Sequence, residues 1–128
     1  MASELKVDKF TGVTTAGSID VTGEGNSTTT NLQQGLAKGW TFTADNAVTD
    51  SFNTSALTDN GTGDYSFTIT NNMANETFSV TSNVAENINL NVFNIARTTS
   101  AYRIALAYTS DHTKYDKNSS TVIHGDLA

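Results

Sequence analysis

From Gly39 onward the chain repeatedly alternates apolar and polar residues with a period of two, the spacing of a strand with one buried and one wet face. Trp40, Phe42 and Ala44 fall in one phase and Thr41 and Thr43 in the other, so the first strand is expected to bury Trp40. Phe52 and Leu57 come next, then Tyr65, Phe67 and Ile69 in phase, with Ser66, Thr68 and Thr70 opposite. Asp59-Asn60-Gly61-Thr62-Gly63-Asp64 lies between them and predicts a hairpin, because Asn-Gly and the second glycine supply the positive φ angles of a tight turn. Phe78, Val80 and Val84 mark another strand, interrupted on its inner face by Ser82 and entered through a turn at Asn72 to Asn75. Asn87-Ile88-Asn89-Leu90-Asn91-Val92 keeps a strict period of two, and the change of phase at Phe93 and Ile95 predicts a bulge or strand end. Tyr102, Ile104, Leu106 and Tyr108 share one side of a strand whose other side holds Arg103 and alanines, the pattern of a central strand. A polar loop from Asp111 to Ser120 precedes a short closing strand at Val122 and Ile123. Six or seven short strands separated by turn residues, with no sustained helical period, predict an all-β fold. The architecture expected is an antiparallel β-sandwich, jelly-roll-like, with an extended N-terminal arm.

The arm is the segment before that pattern starts. Across residues 1–35 the apolar side chains Leu5, Val7, Phe10, Val13, Ile19 and Val21 are sparse and spaced by glycines, and Asn26 to Asn31 is wholly polar. Such a stretch cannot build a core alone, so it is expected to carry one or two short strands and to order against a neighbour. Leu32 to Lys38 is expected to make a short helical turn, and residues 36–128 form the sandwich domain.

Composition sharpens this picture. Thr, Asn and Ser number 22, 14 and 12 among 128 residues, while charged residues make up only 16%. Threonine favours strands and asparagine and serine favour turns, so the surface is hydrated by neutral hydroxyls and amides. The net charge is −6, and the seven lysines and arginines are scattered, which argues against a nucleic-acid partner because phosphate binding needs clustered cations. With no cysteine, disulfides, thiol catalysis and thiolate metal sites are excluded. No apolar run is long enough for a membrane span and Met1 to Phe10 has no signal-peptide core, so neither membrane insertion nor ordinary export is expected.

Little here suggests catalysis, and no cofactor is expected. His112 and His124 stand near Asp111 and Asp126 but not in the spacing of a triad or a zinc site, and both read as loop residues. Asp45 with Asp50, or Asp59 with Asp64, could supply the two carboxylates of a glycosidase, yet turn chemistry already accounts for acids at these positions. Asp59 to Asp64 could also be taken for a calcium loop, but it lacks the spaced ligands and distal glutamate of an EF-hand and reads as a turn. Asn87, Asn89 and Asn91 are expected to project from one sheet face, where their amides could meet sugar hydroxyls or a neighbouring subunit. Tyr108 and Tyr115 are the aromatic residues best placed for exposed contact of the same kind.

The segment Asp50-Ser51-Phe52-Asn53-Thr54-Ser55-Ala56-Leu57-Thr58-Asp59-Asn60-Gly61-Thr62-Gly63-Asp64-Tyr65-Ser66-Phe67 resembles a stretch found in many small phage-encoded proteins, notably of marine and cyanobacterial phages. Gly35 to Trp40 and the opening Ser3-Glu4-Leu5-Lys6-Val7-Asp8-Lys9 are similar to the same group, and the likeness covers about half the chain, ending near Glu86. In that group the opening is often attached to tail-fibre or other virion appendage proteins, which tend to be trimeric. The resemblance therefore implies a non-enzymatic exterior virion protein, a tail fibre or appendage or a capsid decoration, located on the virion surface. It would partner itself, as a homotrimer, and other phage structural proteins, with Leu5, Val7, Phe10, Ile19 and Val21 as oligomer or virion contacts. The alternative is a carbohydrate-binding module for a bacterial surface glycan.

Overall fold

A computed structural model of the chain describes residues 4–12, 19–22, 29–85 and 89–128, with the side chains of 33 and 34 excepted. Two compact units divide the chain, residues 1–35 and residues 36–128. In the first unit β1 (Asp20–Thr22) pairs antiparallel with β2 (Thr29–Asn31), and the single helical turn α1 (Leu32–Gly35) follows directly. Every described side chain of β1 is exposed, as expected of a segment too poor in apolar residues to enclose a core.

The second unit is an antiparallel β-sandwich. Its strands are β3 (Gly39–Ala44), β4 (Ala47–Phe52), β5 (Thr54–Asp59), β6 (Asp64–Ile69), β7 (Ser79–Val84), β8 (Leu90–Thr98), β9 (Ala101–Tyr108) and β10 (Ser119–His124). One sheet has the order β4-β3-β10-β7 and the other β5-β6-β9-β8. The expected Asn-Gly hairpin joins β5 to β6, and the strand expected to be central is β9, flanked by β6 and β8. The anticipated bulge in β8 falls between Asn94 and Ala96. β4 is a strand that the pattern did not separate, since Ala-Val-Thr-Asp-Ser-Phe has too few apolar positions to declare a phase. The closing strand β10 lies inside its sheet, between β3 and β7, so the first and last strands of the unit are neighbours.

The core is built mainly by the second sheet. Tyr65, Phe67 and Ile69 of β6 and Tyr102, Ile104 and Leu106 of β9 are all at most 3% exposed, and Phe67 stacks on its cross-strand partner Tyr102 at 4.9 Å between centroids. Val80, Ile123, Met73 and Phe78 close over them.

The first sheet overturns the expected phase of β3. Thr41 and Thr43 face inward at 2% and 3% exposure, while Trp40 is 38% exposed and faces out. The reason is that the buried hydroxyls find one another. Thr41 Oγ1 lies 2.7 Å from Thr54 Oγ1 and 3.2 Å from the Tyr102 hydroxyl. Thr43 Oγ1 lies 2.9 Å from Ser119 Oγ, and Ser82 Oγ 2.9 Å from Thr121 Oγ1. Among the described residues no buried side-chain nitrogen or oxygen lacks a partner, so this face is buried without an unmet polar group. The aromatic side chains of β3 and β4 are left outside as the complement.

Candidate functional site

Residues 47–69 fold as one continuous piece: β4, a corner at Asn53, β5, the turn, and β6. Asn53 turns the chain from one sheet into the other with φ of 60°, a left-handed angle that asparagine tolerates. Its amide nitrogen donates to the carbonyls of Lys38 (2.8 Å) and Asn71 (3.2 Å), and its amide oxygen accepts from the Asn71 N–H at 2.6 Å. At the tip of the hairpin the Asp59 carboxylate accepts from the Gly61 N–H at 2.8 Å, which fixes the turn.

The end of this turn is a junction. Gly63 donates its N–H to Asp116 Oδ1 at 2.6 Å and accepts from the Leu106 N–H at 2.8 Å. The Tyr65 hydroxyl lies 2.7 Å from both Asp116 Oδ1 and Asn46 Oδ1. The Gly63 amide and Tyr65 hydroxyl hold the Asp116 carboxyl below its ordinary range, and burial together with that carboxylate pushes the Tyr65 phenol up. Next along, Asp64 accepts from Arg103 Nε on Oδ1 at 2.7 Å and from Nη2 on Oδ2 at 3.0 Å, and Lys114 Nζ donates to the same Oδ2. The guanidinium and ammonium outweigh burial and bring the Asp64 carboxyl down to about 2. Asp59 is thus committed to the turn and Asp64 to an ion triad.

The expected asparagine and tyrosine contacts do not form one surface. Asn87 lies outside the described residues. Asn89 and Asn91 are exposed, and Asn91 pairs with Ala107 on the outer face of the β8–β9 ladder. Tyr108 pairs with Leu90 on the opposite, core-side face, and packs edge-on against Tyr115 at 4.8 Å. Tyr115 itself is 40% exposed, so the two tyrosines form a small aromatic mouth at the end of the core. His112 packs edge-on against Phe93 at 5.5 Å, and His124 is the exposed last residue of β10. Of the arm residues, Leu5, Val7, Phe10 and Val21 are exposed and Ile19 is half-buried.

Two surfaces appear that residue spacing did not reveal. A polar hollow of about 390 Å³ is lined by Asp45, Asn46, Asp116, Lys117 and Asn118. It exists because β3 pairs with β10, which sets the β3–β4 turn beside the approach to β10, and the Asp45 N–H donates to Asn118 Oδ1 at 3.3 Å. The other surface is an apolar row across the outside of the first sheet: Phe52, Trp40 and Val122 occupy successive register positions, with Phe52 53% exposed.

These features define the class as an antiparallel β-sandwich domain preceded by an arm whose described apolar side chains are mostly exposed, with apolar side chains also presented outward from the sandwich. Comparison with protein-family models, curated protein sequences and solved structures finds no match.

Proposed function

We propose that the chain is a non-enzymatic structural protein of the exterior of a bacteriophage virion, a tail fibre or appendage or a capsid decoration, that assembles with itself as a homotrimer. The observation that carries this reading is the apolar surface left in water: Leu5, Val7, Phe10 and Val21 in the arm, and Phe52 and Trp40 on the sheet. Exposed apolar groups such as these favour burial against another protein surface. The likeness of Asp50 to Phe67 to small phage proteins supplies the virion context, and the arm supplies a segment that orders on docking. The structural duties of Asp59, Asp64 and Asp116 fit a scaffold better than a catalyst. Native mass measurement is expected to give three copies per particle, and a monomer that persists at high concentration overturns the proposal. A gene beside capsid genes would favour decoration, and one beside tail genes a fibre.

A second reading is favoured by the hollow at Asp45, Asn46, Asp116, Lys117 and Asn118, whose carboxylates, amides and ammonium match the donors and acceptors of sugar hydroxyls. Binding on an array of bacterial surface glycans that disappears with Asp45→Ala and Lys117→Ala would support it. Silence across host glycans would remove it.

A further inference from the structure

The tip of the β5–β6 hairpin holds a chemically labile pair. Of the 14 asparagines in the chain, Asn60 alone precedes a glycine. An asparagine side chain can close on the next main-chain nitrogen as a succinimide ring when the following residue brings no side chain to obstruct it and its backbone turns freely. Asn60 and Gly61 are both exposed, and a Cβ on Gly61 would meet nothing within 4 Å, so the space around the attacking nitrogen is open. The Gly61 N–H donates to the Asp59 side chain at 2.8 Å and lies outside the β5–β6 ladder, so ring closure breaks no strand pairing. Asn60 Nδ2 reaches Ser66 Oγ at 2.8 Å, an exposed bond that water can replace. Other asparagines lack this combination. Asn118 precedes Ser119, which is 1% exposed and whose N–H donates to Thr43 Oγ1 at 3.2 Å. Asn53 precedes β-branched Thr54, and its carboxamide is bonded to the backbone of Lys38 and Asn71. Asn83, Asn91 and Asn94 precede Val84, Val92 and Ile95 within strands.

We infer that Asn60 is a site of spontaneous modification, deamidating through a succinimide formed with Gly61. The Gly61 nitrogen attacks Asn60 Cγ, and the new N–Cγ bond forms as the amide proton passes to a base in the solvent. The Cγ–Nδ2 bond breaks, and Nδ2 takes a proton from water and leaves as ammonia. Water then opens the ring, giving aspartate where the new bond breaks and isoaspartate where the original peptide bond breaks, so water is the one reactant consumed. The consequence follows from the position. The Asn60 N–H donates to the Asp64 carbonyl at 2.8 Å, and the Asp64 N–H to the Gly61 carbonyl at 2.9 Å. Isoaspartate adds a methylene to the main chain between these two bonds and so disturbs the turn that leads into the Asp64 ion triad. Either product places a further negative charge beside Asp59 on a chain already at −6. The hairpin tip therefore changes charge and shape with age, in one direction only.

Incubation of the folded full chain in warm neutral buffer, with peptide mass mapping at intervals, tests it. The peptide holding Asn60 should exchange amide for acid about tenfold or more faster than those holding Asn53 or Asn118, with isoaspartate accompanying aspartate in the product. Hydroxylamine, which cleaves succinimides, should cut the incubated chain between residues 60 and 61. Gly61→Ala, with circular dichroism confirming the fold, should slow the exchange about tenfold or more. Asn60 left intact in the folded chain over a time in which the urea-unfolded chain converts it overturns the assignment, as does earlier conversion of another asparagine. Acid formed at residue 60 without isoaspartate, or at an unchanged rate in Gly61→Ala, overturns the succinimide route.

Discussion

A Cβ on Gly63 would lie 2.6 Å from the Tyr115 carbonyl oxygen and 2.7 Å from that of Leu106, at a φ of 60°. Backbone cannot retreat as a flexible side chain can, so Gly63→Ala is expected to destabilise the domain by about 3 kcal/mol or more in denaturant unfolding. Gly61 makes a useful contrast: its φ is 122° but nothing stands within 4 Å of a Cβ, so Gly61→Ala should cost only about 1 kcal/mol of backbone strain. Asp64 makes a prediction in pH. Its carboxyl is down to about 2 in the folded chain against 3.8 in the reference state, so the ionised form stabilises the fold. That contribution is complete above pH 4 and is lost as the pH falls from there through 2. Its size is about 1–2 kcal/mol, after allowance for screening of the half-exposed Arg103 and Lys114. Asp64→Asn should be less stable at neutral pH and should lose the part of the acid transition between pH 4 and 2 that belongs to this group, as urea midpoints across that range would report.

At the scale of the element, β3 is the test case. Its hydroxyl face is buried and its aromatic face is partly exposed, so Trp40→Ser should lower domain stability by only about 1–2 kcal/mol, whereas Phe67→Ala, in a fully buried position, should cost about 3–5 kcal/mol. Were Trp40 a core residue the two losses would be comparable. Thr41→Val keeps the shape but removes the hydroxyl shared with Thr54 and Tyr102, and is expected to cost about 1–2 kcal/mol. These three variants, unfolded in urea under conditions where the chain is monomeric, decide which face of β3 the core contains.

For the molecule as a whole, the division between arm and domain carries the consequence. Leu5, Val7 and Phe10 are 73%, 48% and 63% exposed and are absent from the hydrophobic core. The triple change Leu5→Ser, Val7→Ser, Phe10→Ser should therefore leave the melting temperature of dilute protein within about 2 °C of the parent. At assembling concentrations the same variant should lose its oligomer. A large drop in the melting point of the dilute variant would show that these side chains stabilise the isolated chain itself. In that case they would not be surplus available to a partner.

Alternation in the chain itself determined the class of fold and the location of the largest strands. Tyr65, Phe67 and Ile69, and Tyr102, Ile104 and Leu106, are large, in phase, and bounded by glycine or polar turns, so burial of one face was the only economical outcome. The Asn-Gly hairpin was equally plain, because few residues tolerate its backbone angles. What tertiary structure alone decided was which face of a weakly apolar strand turns inward. Thr41 and Thr43 go inside because Thr54, Tyr102 and Ser119 are there to bond them, and those partners lie 13 to 76 residues away. The polar hollow has the same origin, since Asp45 meets Asn118 across 73 residues only when the first and last strands of the domain pair. Local spacing encodes periodicity and turn angles, whereas hydrogen-bond satisfaction in a closed core depends on which distant segments are brought side by side.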